Sequence, residues 1–230
     1  MRTGANPLYA AYCLVVFTAL GLTVLVINLF LPSLRRRRLV AGLGSRTFLR
    51  AAGIPFHVEG LDRLPRVPCV VVANHSSYID GLVAAAALPP DFAFVIKKEM
   101  VRVPLAGLLL RRLGSQFVER FDRHKGGVDA RRVLKLAATG QSLVFFPEGT
   151  FNEIRQIGKF LGGAFAAASR SDMPVVTVAI HGTRAVLPSG SLMLRRLPIR
   201  VEILEVLSAG DARQRSRELI ARAVGEPLAP

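Results

Sequence analysis

Residues 70–81 read VVVANHSSYIDG. The apolar start of this stretch, together with Cys69, has the composition of a buried β-strand over residues 69–73. Polar residues follow at once, and His75 and Asp80 are five positions apart. Ligands of open α/β sheets bind outside the carboxyl ends of the strands. This stretch therefore predicts a strand that leads directly into a functional site.

The rest of the chain alternates between strand and helix patterns. Apolar or β-branched runs predict strands over residues 69–73, 92–96, 115–118, 142–146, 175–180 and 199–206. Helices are expected over 81–87, 103–113, 127–138 and 160–169, with a charged surface helix over 211–224. This alternation indicates an α/β fold with a mostly parallel central sheet flanked by helices.

An apolar segment near the amino end predicts a transmembrane helix. Residues 8–31 form 24 positions without a charged residue, fourteen of them Leu, Ile, Val or Phe. Those fourteen contribute roughly −4 to −8 kcal/mol to insertion at about −0.3 to −0.6 each. A cleaved signal peptide fits less well, because the run is too long and no small-x-small site follows. We place the domain boundary after residue 54: residues 1–54 hold the anchor and a connecting helix, and residues 55–230 form the α/β domain.

Four consecutive arginines, at positions 35–38, follow the apolar segment. By the positive-inside rule they predict a single-pass anchor with the rest of the chain on the cytoplasmic side. Two roles for these arginines remain open at this point. They either contact anionic headgroups as well, or only orient the helix.

The overall charge narrows the class of partner. The net charge is +15, and 51% of the residues are hydrophobic, a balance that favours nucleic acid, acidic membranes or phosphorylated substrates. The chain has no tryptophan, few aromatic residues and no nucleic-acid-binding motif, so we expect no nucleic-acid partner. Its two cysteines, Cys13 and Cys69, cannot form a tetrahedral thiolate site unaided, and we expect no metal.

The spacing of His75 and Asp80 restricts how they can meet. In one ideal helix they would point about 140° apart, so a direct pair requires His75 before a helix and Asp80 in its first turn. Ser76 or Ser77 would then be the natural N-cap. The carboxylate would fix the imidazole tautomer and leave the other ring nitrogen to deprotonate a substrate hydroxyl. A simple capping turn, with Asp80 near the positive helix end, explains the spacing equally well.

Two further strands end in charged residues. Glu119 and Arg120 follow one predicted strand, and Pro147-Glu148-Gly149-Thr150 follows another. Three such strand ends on one edge of a sheet favour a site over isolated structural residues. No G-x-S-x-G nucleophile motif occurs, so His75 is expected to act on a substrate hydroxyl. The chemistry suggested is direct attack of an alcohol on an activated acyl group.

Four short blocks carry a resemblance to a known family. In order, N-H-S-S-Y-I-D, F-V-E-R, F-P-E-G-T and M-P-V-V resemble the blocks of glycerolipid acyltransferases, in particular 1-acylglycerol-3-phosphate acyltransferases. Lys97-Lys98-Glu99, followed by Pro104 and Gly107, is also similar to that family's K-x-E…P…G pattern. The resemblance covers about residues 55–205, and it implies that residues 55–230 are an acyltransferase domain.

The resemblance implies a role for each matching residue. His75 would be the general base that deprotonates the acceptor hydroxyl, and Asp80 would orient it. Arg120 would hold the acceptor's phosphate, with Glu148, Gly149 and Thr150 shaping that pocket. The donor would be a thioester on coenzyme A or acyl carrier protein, so no cofactor is expected, and membrane lipids would be the other partners.

The sequence departs from the family pattern near the phosphate site. Phe151 follows E-G-T, and Leu161 stands where many members have a basic residue. Arg184 is a candidate replacement cation. These departures leave the acceptor headgroup open, with lyso-ornithine lipid as an alternative acceptor. The sequence is also compatible with a transacylase that uses a different donor, and with a non-catalytic membrane-tethered basic binding protein.

The predicted helix over residues 104–114 has two interpretations. In the preferred interpretation its leucines pack in the core. In the alternative they rest on a bilayer, with Arg111 and Arg112 at headgroup level.

Overall fold

A computed structural model describes residues 6–119, 123–150 and 154–229 of the chain. Seven strands within these residues form one sheet in the order β1-β7-β6-β2-β5-β3-β4. Neighbouring strands are parallel, except that β6 and β7 are antiparallel. The prediction of a mostly parallel sheet is confirmed. The strands are β1 (Phe56–Glu59), β2 (Val70–Ala73), β3 (Ala93–Lys97), β4 (Gln116–Val118), β5 (Leu143–Phe145), β6 (Val175–His181) and β7 (Ile199–Leu207).

Helices lie on both faces of the sheet, as the alternating pattern predicts. Short 3-10 turns over Leu61–Arg63 and Lys98–Arg102 complete the regular elements. The helices are α1 (Pro7–Phe30), α2 (Leu34–Ala51), α3 (Asp80–Ala87), α4 (Ala106–Arg112), α5 (Arg123–Ala138), α6 (Gly163–Arg170), α7 (Thr183–Val186) and α8 (Ala212–Val224).

Strand β2 shows how the core is divided between the two faces. All four of its residues are buried. Val71 and Ala73 pack in one apolar cluster with residues of α2 and α3, whereas Val70 and Val72 pack in the other with residues of α5, α6 and α8. A strand covered on both faces has to be apolar throughout. Its carboxyl end, where His75 lies, is therefore fixed within the centre of the sheet.

Helices α1 and α2 form a hairpin that lies against the α/β body. Near its start, α1 donates hydrogen bonds from the Tyr9 and Tyr12 hydroxyls to the carbonyls of Ala52 and Ala51, at 2.8 and 3.1 Å. Near its end, the Arg112 guanidinium donates to the Asn28 carbonyl at 2.9 Å. The length and composition of α1 would suffice to cross a membrane. The start of α1 is therefore bonded to the end of α2 and its end to α4, and many of its outer apolar side chains are exposed.

The arginine cluster serves partly to join helix ends. The Arg37 Nε donates to the Leu31 carbonyl at 2.6 Å, and the Arg38 Nε donates to the Leu113 carbonyl at 3.0 Å. Burial lowers the pKa of Arg38, with Asp91 opposing that shift. Arg35 forms an exposed ion pair with Asp91 at 3.1 Å. At least two of the four arginines therefore stabilise the fold, a role that the sequence did not indicate.

Two local features differ from the sequence analysis. The sequence did not predict β1, which is four residues long and alternates partly buried with exposed positions. Core packing was the preferred interpretation of the helix over residues 104–114, with bilayer contact as the alternative, but Gly107 is the buried residue of α4. Leu105 and Leu108 are exposed, whereas Leu109 and Leu110 are partly buried.

Candidate active site

His75 and Asp80 form a direct pair after the end of β2. His75 Nδ1 lies 2.8 Å from Asp80 Oδ2, and that oxygen also accepts hydrogen bonds from the backbone N–H of Ser76 and Ser77 at 2.6 and 2.8 Å. An oxygen that already accepts two N–H donors carries no proton, so Nδ1–H is the donor to it. The Asp80 side chain is fully buried, whereas 20% of the His75 side chain is exposed. The pair therefore has a fixed tautomer and reaches solvent through the imidazole.

The local geometry confirms one part of the turn prediction and corrects another. His75 precedes α3, and Asp80 is in its first turn, as direct pairing requires. The predicted serine N-cap is wrong, because Ile79 is the N-cap residue and makes no side-chain capping bond. The Asp80 carboxylate instead reaches back to the serine amides. Ser77 Oγ donates to the Leu187 carbonyl at 2.7 Å, and so holds the turn from outside.

Strand β6 supports this turn through contacts that sequence reasoning missed. The Asn74 amide donates to the Ile180 carbonyl at 2.9 Å and accepts from the Ile180 N–H at 2.8 Å. Ser76 Oγ lies 3.1 Å from Thr183 Oγ1. Gly182, with φ 87°, makes the bend that delivers Thr183, and a Cβ there would lie 2.2 Å from the Pro198 carbonyl oxygen. Nothing local in the sequence links positions more than a hundred residues apart.

Glu148 lies directly beside His75, at the carboxyl end of β5. Its Oε1 accepts a hydrogen bond from the backbone N–H of His75 at 2.8 Å, and its Oε2 accepts one from the backbone N–H of Gly158 at 2.8 Å. Burial raises the pKa of Glu148, while the two N–H bonds oppose that shift. The carboxylate is thus committed to the backbone that positions His75. The His75 ring stacks on Phe146, with centroids 4.7 Å apart.

The structure describes only some of the other residues predicted for the site. Gly149 has φ 80°, a conformation that favours glycine, and Thr150 follows it at the exposed rim. Arg120 and Phe151 lie outside the described residues. Arg184, the candidate replacement cation, forms a largely buried ion pair with Glu226 at 3.3 Å.

The end of β4, directly before Arg120, is anchored by an aspartate that the sequence analysis did not single out. Asp129 Oδ2 accepts the Glu119 N–H at 3.0 Å and lies 3.5 Å from Lys98 Nζ. Asp129 is buried, so it holds the end of β4 firmly. The carboxyl ends of β2, β5 and β4 share one edge of the sheet because these strands run parallel.

A family model described as Acyltransferase matches residues 55–181, which is more than half of the chain. The chain belongs to the acyltransferase family. Its resemblance to glycerolipid acyltransferases is thereby confirmed. The matched region contains His75, Asp80 and Glu148.

Related proteins agree with this family. A chloroplastic 1-acyl-sn-glycerol-3-phosphate acyltransferase of Brassica napus is 32% identical over 142 residues, covering 60% of this chain and 41% of the relative. A lyso-ornithine lipid O-acyltransferase of Pseudomonas aeruginosa is 33% identical over 141 residues, covering 60% of this chain and 52% of the relative. This acyltransferase-family chain thus spans about half, or less, of the length of these two relatives.

A solved structure shares the fold. The crystal structure of the 1-acyl-sn-glycerophosphate acyltransferase of Thermotoga maritima superposes with a TM-score of 0.81 at 22% sequence identity. The match covers 98% of this chain and 97% of that one. It therefore includes α1 and α2 as well as the sheet.

Proposed function

We propose that this protein transfers a fatty acyl group from a thioester to the free hydroxyl of a lysophospholipid. The favoured acceptor is 1-acylglycerol-3-phosphate, and the product is then phosphatidate. The observation that carries the proposal is the buried Asp80 carboxylate on His75 Nδ1, at a strand end of an acyltransferase-family chain. The name of the Brassica napus relative supports the choice of acceptor.

The pair supports a general-base mechanism. With Nδ1–H donated to Asp80, the lone pair on His75 Nε2 takes the proton of the acceptor hydroxyl. The hydroxyl oxygen attacks the thioester carbonyl carbon, and the resulting tetrahedral intermediate then collapses with cleavage of the carbon–sulfur bond. The thiolate leaves and takes the proton back from Nε2. Asp80 stabilises the imidazolium that exists between the two proton transfers.

Substrate binding is assigned to the predicted pocket residues. Arg120 is proposed to bind the phosphate through its planar guanidinium, and Gly149 and Thr150 to line the same pocket. Glu148 was predicted to help shape that pocket, and its two backbone bonds add a second role in positioning His75. The donor is proposed to be acyl-coenzyme A or acyl carrier protein. A thioester is already activated, so the proposed reaction uses no cofactor.

A second acceptor, lyso-ornithine lipid, is favoured by two observations. The Pseudomonas aeruginosa relative carries that acceptor in its name. The two basic residues typical of the phosphate region are absent at Phe151 and Leu161, and Arg184 is ion-paired with Glu226. A reduced positive charge near the headgroup would suit an acceptor without a phosphate.

Membrane attachment is proposed to occur through α1. The predicted single-pass crossing would require α1 to release the hydrogen bonds from Tyr9, Tyr12 and Arg112. Contact between its exposed apolar side and the bilayer keeps all of them, and is the arrangement we propose. The catalytic domain is proposed to lie on the cytoplasmic side. Labelling of single cysteines along α1 from each side of sealed vesicles would separate crossing from contact.

The purified full-length protein should be assayed with both acceptors. We expect acyl transfer from oleoyl-coenzyme A or an oleoyl carrier protein to lysophosphatidate, with a higher kcat/KM than for lyso-ornithine lipid. The reverse preference would replace the favoured acceptor by lyso-ornithine lipid. No transfer to either acceptor from either donor would overturn the enzymatic proposal and favour the non-catalytic binding protein.

A further inference from the structure

The segment between β3 and α4 exposes an apolar surface, which we name the β3–α4 surface. Four large hydrophobic residues on it are at least 38% exposed: Met100, Val103, Leu105 and Leu108. These residues lie on a 3-10 turn, on the following loop and on the first turn of α4. Exposed apolar residues gathered in one place mark interaction surfaces more often than single ones do.

The backbone at the tip of this surface is strained. Leu105 has φ 59° and ψ −51°, and the residue is 56% exposed. Among the described residues, Leu105 and Asp172 are the non-glycine residues with positive φ. Strained conformations of this kind persist where the surrounding structure holds them, and they cluster at functional positions. Here the strain presents a leucine to solvent, which core packing does not explain.

The β3–α4 surface adjoins α1. Arg112, at the end of α4, donates hydrogen bonds to the Asn28 and Leu29 carbonyls at 2.9 and 2.7 Å. Both Leu29 and Phe30 are exposed at that end of α1. From Arg112, α4 extends about 10 Å back to Leu105, at 1.5 Å per residue. Hydrogen bonds thus join α1 directly to the end of α4, about 10 Å along the helix from the β3–α4 surface.

The charges around the β3–α4 surface are mainly basic. Arg102 and Arg111 are exposed beside the apolar residues. The neighbouring carboxylate, Glu99, lies 3.7 Å from Lys97 and is therefore partly compensated. Apolar side chains flanked by arginines match the acyl and headgroup layers of an anionic bilayer.

We propose that the β3–α4 surface is a second membrane contact, which inserts Leu105 and Leu108 into an anionic bilayer with Arg102 and Arg111 at the headgroups. This rests on the proposed attachment through α1 and deepens it. Strand β3 is parallel to β5, and β5 to β2, so this segment leaves the sheet at the edge that carries His75. Two contacts, one along α1 and one at this edge, orient the candidate site toward the bilayer that holds the lipid acceptor.

The absence of tryptophan from the chain allows a direct test. Leu105→Trp introduces a sole tryptophan at the tip, and Val206→Trp is the matched control. Val206 is also exposed, but it lies on β7, which is separated from β3 by three strands in the sheet order. The full-length variants are mixed with vesicles of phosphatidylethanolamine and phosphatidylglycerol, with and without brominated acyl chains. Leu108→Trp serves if Leu105→Trp does not fold.

We expect a blue-shift of the Leu105→Trp emission on vesicle addition, and quenching several-fold stronger than for Val206→Trp. Adding Arg102→Gln and Arg111→Gln should weaken the quenching, as should salt. Unchanged emission from both Leu105→Trp and Leu108→Trp, on protein that floats with the vesicles, would overturn the proposal. A concentration-dependent blue-shift without vesicles would overturn it in favour of self-association. The readout needs no turnover, so an inactive protein that shows the blue-shift would defeat only the enzymatic proposal.

Discussion

Replacing Glu148 with glutamine tests whether this carboxylate acts by positioning His75. In the wild type, one carboxylate oxygen accepts the backbone N–H of His75 and the other accepts the backbone N–H of Gly158, each at 2.8 Å. Glutamine has nearly the same shape but offers only one oxygen. Its NH₂ group must then face one of the two backbone donors. Either His75 or Gly158 therefore loses its acceptor and meets a second donor.

The expected loss of stability is the difference between two opposing effects. Losing one hydrogen bond to a charged acceptor costs about 1.5–3 kcal/mol. Burial raises the pKa of Glu148 and so disfavours its ionised form. Replacing the carboxylate with a neutral amide removes that cost of burying a charge. The net cost in unfolding free energy should thus stay below about 3 kcal/mol. The effect on rate should be of similar size, because displacements of about 1 Å cost up to 10²-fold, or about 2.7 kcal/mol.

The assay compares kcat, KM and urea unfolding for wild type, Glu148→Gln and Glu148→Ala. We expect Glu148→Gln to remain folded, with a kcat reduced by about 10- to 100-fold and a smaller change in the KM for the acceptor. Glu218→Gln, which changes a partly exposed carboxylate on α8, is the control. A Glu148→Gln variant with wild-type kcat and a raised KM would refute the positioning role and indicate a substrate contact instead.

Three further predictions concern the same site. Asp80→Asn should lower kcat by about 10²–10⁴. The oxygen that faces His75 Nδ1 and the backbone N–H groups of Ser76 and Ser77 would then be neutral and could no longer stabilise the imidazolium by its charge. A steady-state assay with a circular dichroism control for folding checks this. The pKa of Glu148 is raised in the native state, so this residue stabilises the fold below its ordinary pKa of about 4.3, and that stabilisation is lost as pH rises through the raised value. Urea unfolding between acidic and neutral pH should show that the free energy of unfolding of wild type, relative to that of Glu148→Gln, falls as pH rises. A difference between the two proteins that stays constant with pH would contradict this prediction. Gly182→Ala should destabilise the protein by more than about 1 kcal/mol, since its Cβ would lie 2.2 Å from the Pro198 carbonyl oxygen; an unchanged melting temperature would argue against that geometry.

The sheet was largely predictable from the sequence, because its central strands are buried on both faces. Such strands are continuous apolar runs, and β2, β5 and β6 were each found within a residue of their observed ends. Strand β1 was missed because it is short and alternates partly buried with exposed residues. Helix α4 was found, but the exposure of Leu105 and Leu108 was not predictable, since a leucine-rich pattern predicts an apolar face and not what covers it.

The candidate site was predictable only where it is local in the chain. The pairing of His75 with Asp80 follows from a five-residue spacing and a strand-to-helix turn. The Asn74–Ile180 and Ser76–Thr183 contacts join residues 106 and 107 positions apart, and depend on β2 and β6 being neighbours. The backbone role of Glu148 depends on the placement of Gly158 ten residues later. Composition and spacing carry no signal for such contacts.

The most direct test of the central claim is the acyl transfer rate of His75→Ala, with His57→Ala as its matched control. His57 is an exposed histidine on β1, outside the candidate site. The account predicts that His75→Ala lowers kcat/KM for lysophosphatidate by at least about 10², with unchanged circular dichroism, while His57→Ala keeps wild-type turnover. A folded His75→Ala protein that transfers acyl groups as fast as wild type would contradict the account.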